Sequence, residues 1–349
     1  MHRRTFLRNA AALAAAAASA RPAPAEEPAM SLQIMTVRGP IAPDALGFTL
    51  PHEHVMVDFI GAAETGPDRY DPDEVVETVR PYLEALRPLG VEAFVDCTPA
   101  YLARDVSVLR RLSEEVDIHI LTNTGYYGAM DDKGLPPHAF DETPDQIAAR
   151  WVAEWEHGID NTDIRPGFIK IGVDPGPLSA VDRKLVSAAC RAHLRTGLVI
   201  ACHTTDAAAI AGILPLLKVE GVAGDAFIWV HAHAVPEPDL HEYAAREGVW
   251  IEFDGLAPGT VSAHTALVNA MRERGLLHRV MLSHDAGWYT VGEPGGGDFR
   301  GFELLCTEAI PALRVAGCTD ADISRITRDN PAEAFSVRKR PLQRSDDQD

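Results

Sequence analysis

Positive charge is scarce in this chain. Its 349 residues carry 32 Lys and Arg against 51 Asp and Glu, a formal net charge of −19. A nucleic-acid binder needs a basic footprint, so that class of partner is excluded. The acidity favours a soluble protein that acts on small, neutral or weakly polar molecules. Long apolar runs are missing as well. Beyond the N-terminus none approaches the roughly 18 residues of a membrane span, so no membrane partner is expected after signal removal. Cysteine is sparse and poorly spaced: Cys97, Cys190, Cys202, Cys306 and Cys318 are odd in number and form no CxxC pair. This argues against a disulfide framework and for buried thiols acting as small hydrophobes. The glycine-rich stretch GWYTVGEPGGGDFRG lacks the strand–loop–helix pattern of a phosphate cradle. It reads as a mobile cover, not a nucleotide site.

What is present begins with a leader. HRRTFLRNAAALAAAAASA sets Arg3 and Arg4 before an alanine-rich run that ends at Ala20, and small-residue cleavage patterns end at Ala20 and Ala25. Residues 1–25 are expected to be a twin-arginine signal that exports the folded protein to the periplasm or beyond. After it, short apolar runs alternate with helix-like stretches. The strand candidates are 49–57, 91–98, 119–124, 167–173, 199–203, 226–231, 249–254 and 280–284. Between them lie patterns of period near 3.6, such as AVDRKLVSAACRAHLRTG, which stops at Gly197. Eight strands, each followed by a helix, predict one α/β domain, a (β/α)8 barrel of the TIM type, over 36–335. The tail at 336–349 is polar and expected to fray.

Reactive groups recur where these strands end: His52 and His54 on the first, Lys170 on the fourth, His203 on the fifth, His231 and His233 on the sixth, Asp285 after the eighth. The C-terminal face of such a barrel carries the active site. Residues i and i+2 of a strand point the same way, about 7 Å apart. His52 and His54 can therefore share one divalent metal at about 2.0–2.1 Å each, while Glu53 points away as a structural group. A lone H-x-H is often ordinary polar packing; four histidines and an aspartate at strand ends together predict a metal site. Lys170 is flanked by Phe168, Ile169 and Ile171. Burial there disfavours the cation and frees the amine. A free amine takes up CO2 to give a carbamate, an anion able to bridge two metals about 3.5–4 Å apart. Alone, Lys170 would be read as paired with Asp285 or Asp174, or as reaching out to solvent; in this company the bridge is favoured.

With these segments in view, the sequence resembles the phosphotriesterase family of the amidohydrolase superfamily, from about Thr36 to Phe335. LPHEHV, HGIDNTDIRPGFIKIGV, DVSVLRRLSEEVDIHILTNTGYY and RDNPAEAF carry the resemblance. It implies a binuclear metal hydrolase in which His52, His54 and Asp285 hold the more buried metal, and His203 and His231 the more exposed one. Lys170, as N6-carboxylysine, would bridge them. His231 is preferred to His233 because its spacing to Asp254 matches the family. Many relatives are dimers, so a homodimer is implied. Two departures stand out. Ala234 replaces an aspartate of the phosphotriesterases proper, and Gly255 replaces their histidine or the lactonases' usual arginine. That pair serves proton relay in the organophosphate hydrolases, so efficient phosphotriester hydrolysis is not expected.

The predicted chemistry is hydrolysis by a metal-acidified water, with Asp285 beside it to accept the proton. The ligand types suit zinc, and also cobalt, manganese or iron. Tyr126, Tyr127, His233, Trp288 and Tyr289 are candidates for a mostly apolar substrate pocket. Lactones or related esters are the expected substrates. The alternatives are an organophosphate triester hydrolase, a mononuclear deaminase that would not need Lys170, and an exported metal-binding protein without turnover.

Overall fold

The computed structural model describes residues 32–342. The leader at 1–25 and the end of the polar tail lie outside the described residues.

All eight expected strands form. They are β1 (Thr49–Val57), β2 (Ala93–Asp96), β3 (His119–Leu121, resuming at Asn123–Thr124), β4 (Phe168–Gly172), β5 (Ile200–His203), β6 (Phe227–Val230), β7 (Trp250–Phe253) and β8 (Val280–Leu282). Each is buried on both faces, and this is why they read as continuous apolar runs instead of alternating ones. Every pairing between them is parallel. The interruption at Thr122 divides the barrel into two arcs, β1–β2–β3 and β3–β4–β5–β6–β7–β8. The segment after β8 ties back to β1: Asp285 N donates to His52 O at 3.1 Å and His54 N to Ala286 O at 2.9 Å.

Helices fill the spaces between strands with local signals intact. The helix Ala180–Thr196 starts on a Ser179–Asp182 capping box and stops at Gly197, where the sequence placed its end. Inside the barrel, Val95, Val199, Ile228 and Met281 pack with Ile34 and Phe335. The Phe335 ring meets Phe168, at the start of β4, 5.5 Å between centroids. That cluster closes the end of the barrel opposite the functional strand ends.

Two elements escaped the sequence reading. One is the antiparallel pair Ile34–Thr36 and Gly39–Ile41. The other is Gly287–Thr290, inside the stretch read as a mobile cover, which pairs with β1 in the register Gly287↔His54. Its approach depends on Gly287: φ is +93°, and a Cβ there would lie 1.9 Å from His54 O.

The tail departs from expectation over 336–342. Arg340 is only 4% exposed. Its guanidinium donates to the carbonyls of Glu333, Ala334 and Ser336 at 2.9–3.1 Å, the last carbonyls of a helix that would otherwise go unpaired. Its backbone N–H donates to His193 Nε2 at 2.9 Å, and His193 Nδ1 contacts Leu198 O at 2.8 Å. Burial, only partly offset by these contacts, lowers the His193 pKa from 6.5 to about 4. The unfolded chain thus binds a proton that the folded one refuses between those values. Stability is full above pH 6.5 and falls as pH drops toward 4, by about 3 kcal/mol from this residue. Urea unfolding at pH 7 and pH 4.5 is expected to show a smaller pH loss in His193→Gln than in wild type; equal losses would contradict it.

Candidate metal centre

The ends of β1, β4, β5, β6 and β7, with the turn after β8, converge on one cluster. His52 and His54 share a side of β1, their rings 5.4 Å apart. Glu53 points away, as its position requires. It accepts from Ser283 Oγ at 2.7 Å, from the backbone of His284 and Ala286 at 3.1 and 2.9 Å, and from the His284 ring at 2.5 Å. This carboxylate thereby fixes the turn that presents Asp285 against β1.

The rings are oriented from behind. His54 Nδ1 lies 2.8 Å from Thr98 Oγ1, and that hydroxyl already donates to Met56 O, so the ring must donate and Nε2 keeps its lone pair. Nε2 faces Asp285 Oδ1 at 3.1 Å. His52 Nδ1 faces Asp254 Oδ2 at 2.8 Å and Glu252 Oε2 at 3.2 Å. Its Nε2 faces Lys170 Nζ at 3.4 Å and Asp285 Oδ1 at 3.6 Å. Asp254 also holds His231, with Oδ1 2.9 Å from the ring and Oδ2 3.1 Å from the backbone N–H. The His231 and His203 rings meet at 4.4 Å, and the Tyr127 hydroxyl lies 3.1 Å from His203 Nδ1. His231 and Asp285 have φ of 63° and 53°, conformations unusual for side-chain-bearing residues and kept here where two functional groups must be aimed.

Lys170 sits in the midst of these groups, 2% exposed. Among the described residues it makes no ion pair, so the reading in which Asp285 or Asp174 neutralises it does not describe this fold.

The electrostatics favour neutral imidazoles at His52 and His203 and ionised carboxylates at Asp254 and Asp285. Burial first, then Lys170, lowers the His52 pKa from 6.5 to about 4. Burial, helped by His231 and Lys170, carries His203 well below its ordinary value. Burial alone would raise Asp285, but the His54 hydrogen bond, with the nearby His52, His54 and His231 rings, outweighs it and holds the group low. Asp254 is likewise held low against burial by His231 and His52, while burial and the neighbouring Asp254 push Glu252 up. Neutral nitrogen with anionic oxygen is the protonation state that metal ligation demands.

Two triads have the spacing to hold a metal: His52–His54–Asp285 and His52–His231–Asp254. Cover decides between them. The Asp254 side chain is wholly buried and that of Asp285 is 23% exposed, and a catalytic metal keeps a position open to solvent. We assign Asp254 to holding the rings from behind, as carboxylates commonly do for metal-ligating histidines. The donor set of His52, His54, His203, His231, Asp285 and the unpaired Lys170 amine fits the divalent metals expected from the sequence.

Two hollows meet at this cluster, both lined by His203, His231, Asp285 and Trp288. One, about 90 Å³, is walled by Val57, Phe59, Pro99, Leu102 and Tyr127. The other, about 330 Å³, is walled by Thr205, His233, Ala234, Gly255 and Arg300. Of the predicted pocket residues, Tyr127, Trp288 and His233 line these hollows. Tyr126 and Tyr289 do not, a correction with a simple cause. Neighbours along an extended chain face opposite ways. Tyr126 therefore turns to His138 and Trp151, and Tyr289 toward Glu74. A larger cavity of about 490 Å³, lined by Tyr126 with Tyr70, Tyr101 and Arg104, lies apart from the metal ligands.

His233 turns inward. Its Nδ1 is 3.1 Å from Asp254 Oδ1, and a Cβ on Gly255 would lie 2.2 Å from its Nε2. The missing side chain at 255 is what makes room for this imidazole. Contact with Asp254 raises the His233 pKa against the opposing effect of burial. The sequence reading missed Asp254, Glu252, Thr98 and Arg300 as parts of the site. An acidic pair closing the buried run WIEFD was the available signal for the first two.

Known proteins share this architecture. The phosphotriesterase family model matches residues 32–335. The phosphotriesterase homology protein of Escherichia coli K12 is 30% identical, covering 84% of this chain and 99% of its own. The aryldialkylphosphatase of Saccharolobus solfataricus is 27% identical over 83% and 95%. The solved structure of a mutant PTE-like lactonase from Deinococcus radiodurans is 27% identical, covers 86% of this chain and 99% of that one, and superposes with a TM-score of 0.77. A match across nearly the whole described chain, on a barrel whose strand ends gather candidate metal ligands, places the protein among hydrolases: the chain belongs to the phosphotriesterase family.

Proposed function

We propose that this protein hydrolyses lactones or related esters with a pair of divalent metals, zinc among those its ligands suit. The observation that carries the reading is the Lys170 amine, buried without an ion-pair partner amid four histidines and Asp285. Reaction of that amine with CO2 gives a carbamate and releases a proton, which turns a costly buried group into the anion a two-metal site needs. His52, His54 and Asp285 would hold one cation, His203 and His231 the other, with carboxylated Lys170 between. When bound, such a pair supplies Lewis acidity and a water acidified to a pKa of about 7.

The chain's own groups do the rest. Asp285 Oδ1 faces His54, so Oδ2 is the oxygen more available to take the water's proton as its oxygen adds to the carbonyl carbon. The proton then passes to the departing alkoxide, which leaves a hydroxy acid. Phe59, Leu102 and Trp288 exclude water from the apolar side of the reacting centre. Ala234 and Gly255 weigh against efficient phosphotriester hydrolysis, because neither brings the relay side chain of the phosphotriesterases proper, and Gly255 equally lacks the lactonases' usual arginine. The leader supports export of the folded, metal-loaded protein by the twin-arginine route.

Metal-reconstituted protein assayed against lactones, aryl esters and paraoxon tests the reading. Lactone or ester turnover is expected to exceed paraoxon turnover. Paraoxon hydrolysis near the diffusional ceiling without lactone turnover would overturn it.

A further inference from the structure

One cation in the larger hollow has no task in metal binding. We propose that Arg300 makes this hollow an anion-recognition subsite, and that the substrate is a lactone or ester whose side chain carries a carboxylate or sulfonate. The inference rests on the hydrolase reading above and narrows its substrate class.

Arg300 is half-buried and its backbone is anchored by reciprocal hydrogen bonds with Gly287 at 3.0 and 3.2 Å. Its Nη1 donates to Leu256 O at 3.2 Å, and Nη2 to His284 O at 2.8 Å and Asp285 O at 2.5 Å. Three neutral carbonyls orient the guanidinium without neutralising it. Among the described residues no carboxylate lies within ion-pair distance of it, although the chain carries a net charge of −19. The carboxylates nearest the metal-binding cluster are committed elsewhere: Asp285 faces His54, and Asp254 faces His52, His231 and His233.

A guanidinium has five N–H donors, and three are used. The Nε–H and one Nη1–H have no protein acceptor among the described residues, and the side chain lines the hollow. The two spare N–H groups point in different directions, so each can give an oxyanion one charge-assisted hydrogen bond, roughly twice as strong as a neutral one. The opposite hollow is apolar and smaller. A substrate lying across Asp285 and Trp288 would thus place a compact apolar group toward Phe59 and Leu102 and an anionic arm toward Arg300.

Two lactones matched except for a side-chain carboxylate or its methyl ester are assayed with metal-loaded wild type, Arg300→Gln and Arg300→Lys. Wild type is expected to favour the carboxylate by about tenfold or more in kcat/KM. Arg300→Gln collapses that ratio, chiefly through KM, and Arg300→Lys retains part of it. A wild-type ratio near one, or equal losses on both substrates in Arg300→Gln, overturns the proposal and leaves Arg300 as a positioning residue for Asp285. Binding of ethanesulfonate by titration calorimetry gives a readout without turnover. Binding that weakens about tenfold in Arg300→Gln supports the subsite; no binding, or equal binding, overturns it. If neither lactone is hydrolysed while ethanesulfonate still binds through Arg300, the hydrolase reading falls and the anion subsite stands.

Discussion

Replacing Lys170 with alanine is expected to cost both metals and at least about a thousandfold in turnover, because the bridge and its negative charge disappear together. The same change should not harm the metal-free fold. A buried amine with no ion-pair partner is a desolvation cost, and alanine removes it. The apo variant should therefore melt at or above the temperature of apo wild type. Added zinc should raise the wild-type melting temperature but not the variant's, since a ligand stabilises only what it binds, by about 4 kcal/mol at a thousand times its Kd. Metal analysis, turnover and the two melting curves together check this. A variant that retains two metals per chain and wild-type rates would remove the basis for the bridging role. A carbamate is also directly visible: 13C-labelled bicarbonate should give a carbamate carbon resonance in wild type that Lys170→Ala lacks.

How far the sequence could be read follows from which interactions are local. β1 to β8 were legible because parallel strands buried on both faces leave runs of apolar residues, and Gly197 because a helix stop is written within one turn. His52 and His54 were legible because strand pleating fixes two side chains to one side without knowledge of the fold. Tyr126 and Tyr289 were misplaced because a dipeptide shows that its two rings diverge but not which one faces inward. The strand Gly287–Thr290 was hidden by its glycines, which read as flexibility and in fact allow close approach to His54. Arg340 was hidden because its partners are carbonyls, which carry no sequence signature, and Asp225, which only the fold brings near it. Asp254 was overlooked as a site residue for a related reason. It acts on rings from β1 and β6, and only tertiary structure puts those rings on either side of it.

Asp254 is where the other large effect is expected. Asn in its place keeps the size and one carbonyl oxygen but turns the second oxygen into an N–H donor. Asp254 Oδ2 lies 2.8 Å from His52 Nδ1 and Oδ1 lies 2.9 Å from His231 Nδ1, so the single amide oxygen can face His52 or His231 but not both. The other ring then meets a donor. To accept from it, that ring must place its proton on Nε2, and for His52 this is the nitrogen that faces Lys170 and Asp285. A protonated Nε2 cannot ligate. Metal affinity in Asp254→Asn is expected to fall by about 10- to 100-fold, with turnover lost in step at limiting metal and partly restored by excess. Glu252 sets how complete the loss is. Its pKa is pushed up by burial and then by the adjacent Asp254 charge, and it already approaches His52 Nδ1 at 3.2 Å. With that charge gone, Glu252 ionises more readily and takes over part of the duty toward His52. The double variant Asp254→Asn/Glu252→Gln should therefore lose more affinity than the two single losses predict. Competition with a chromophoric chelator measures all three variants. Additive losses would show that Glu252 provides no reserve, and unchanged affinity in Asp254→Asn would show that the rings need no carboxylate behind them.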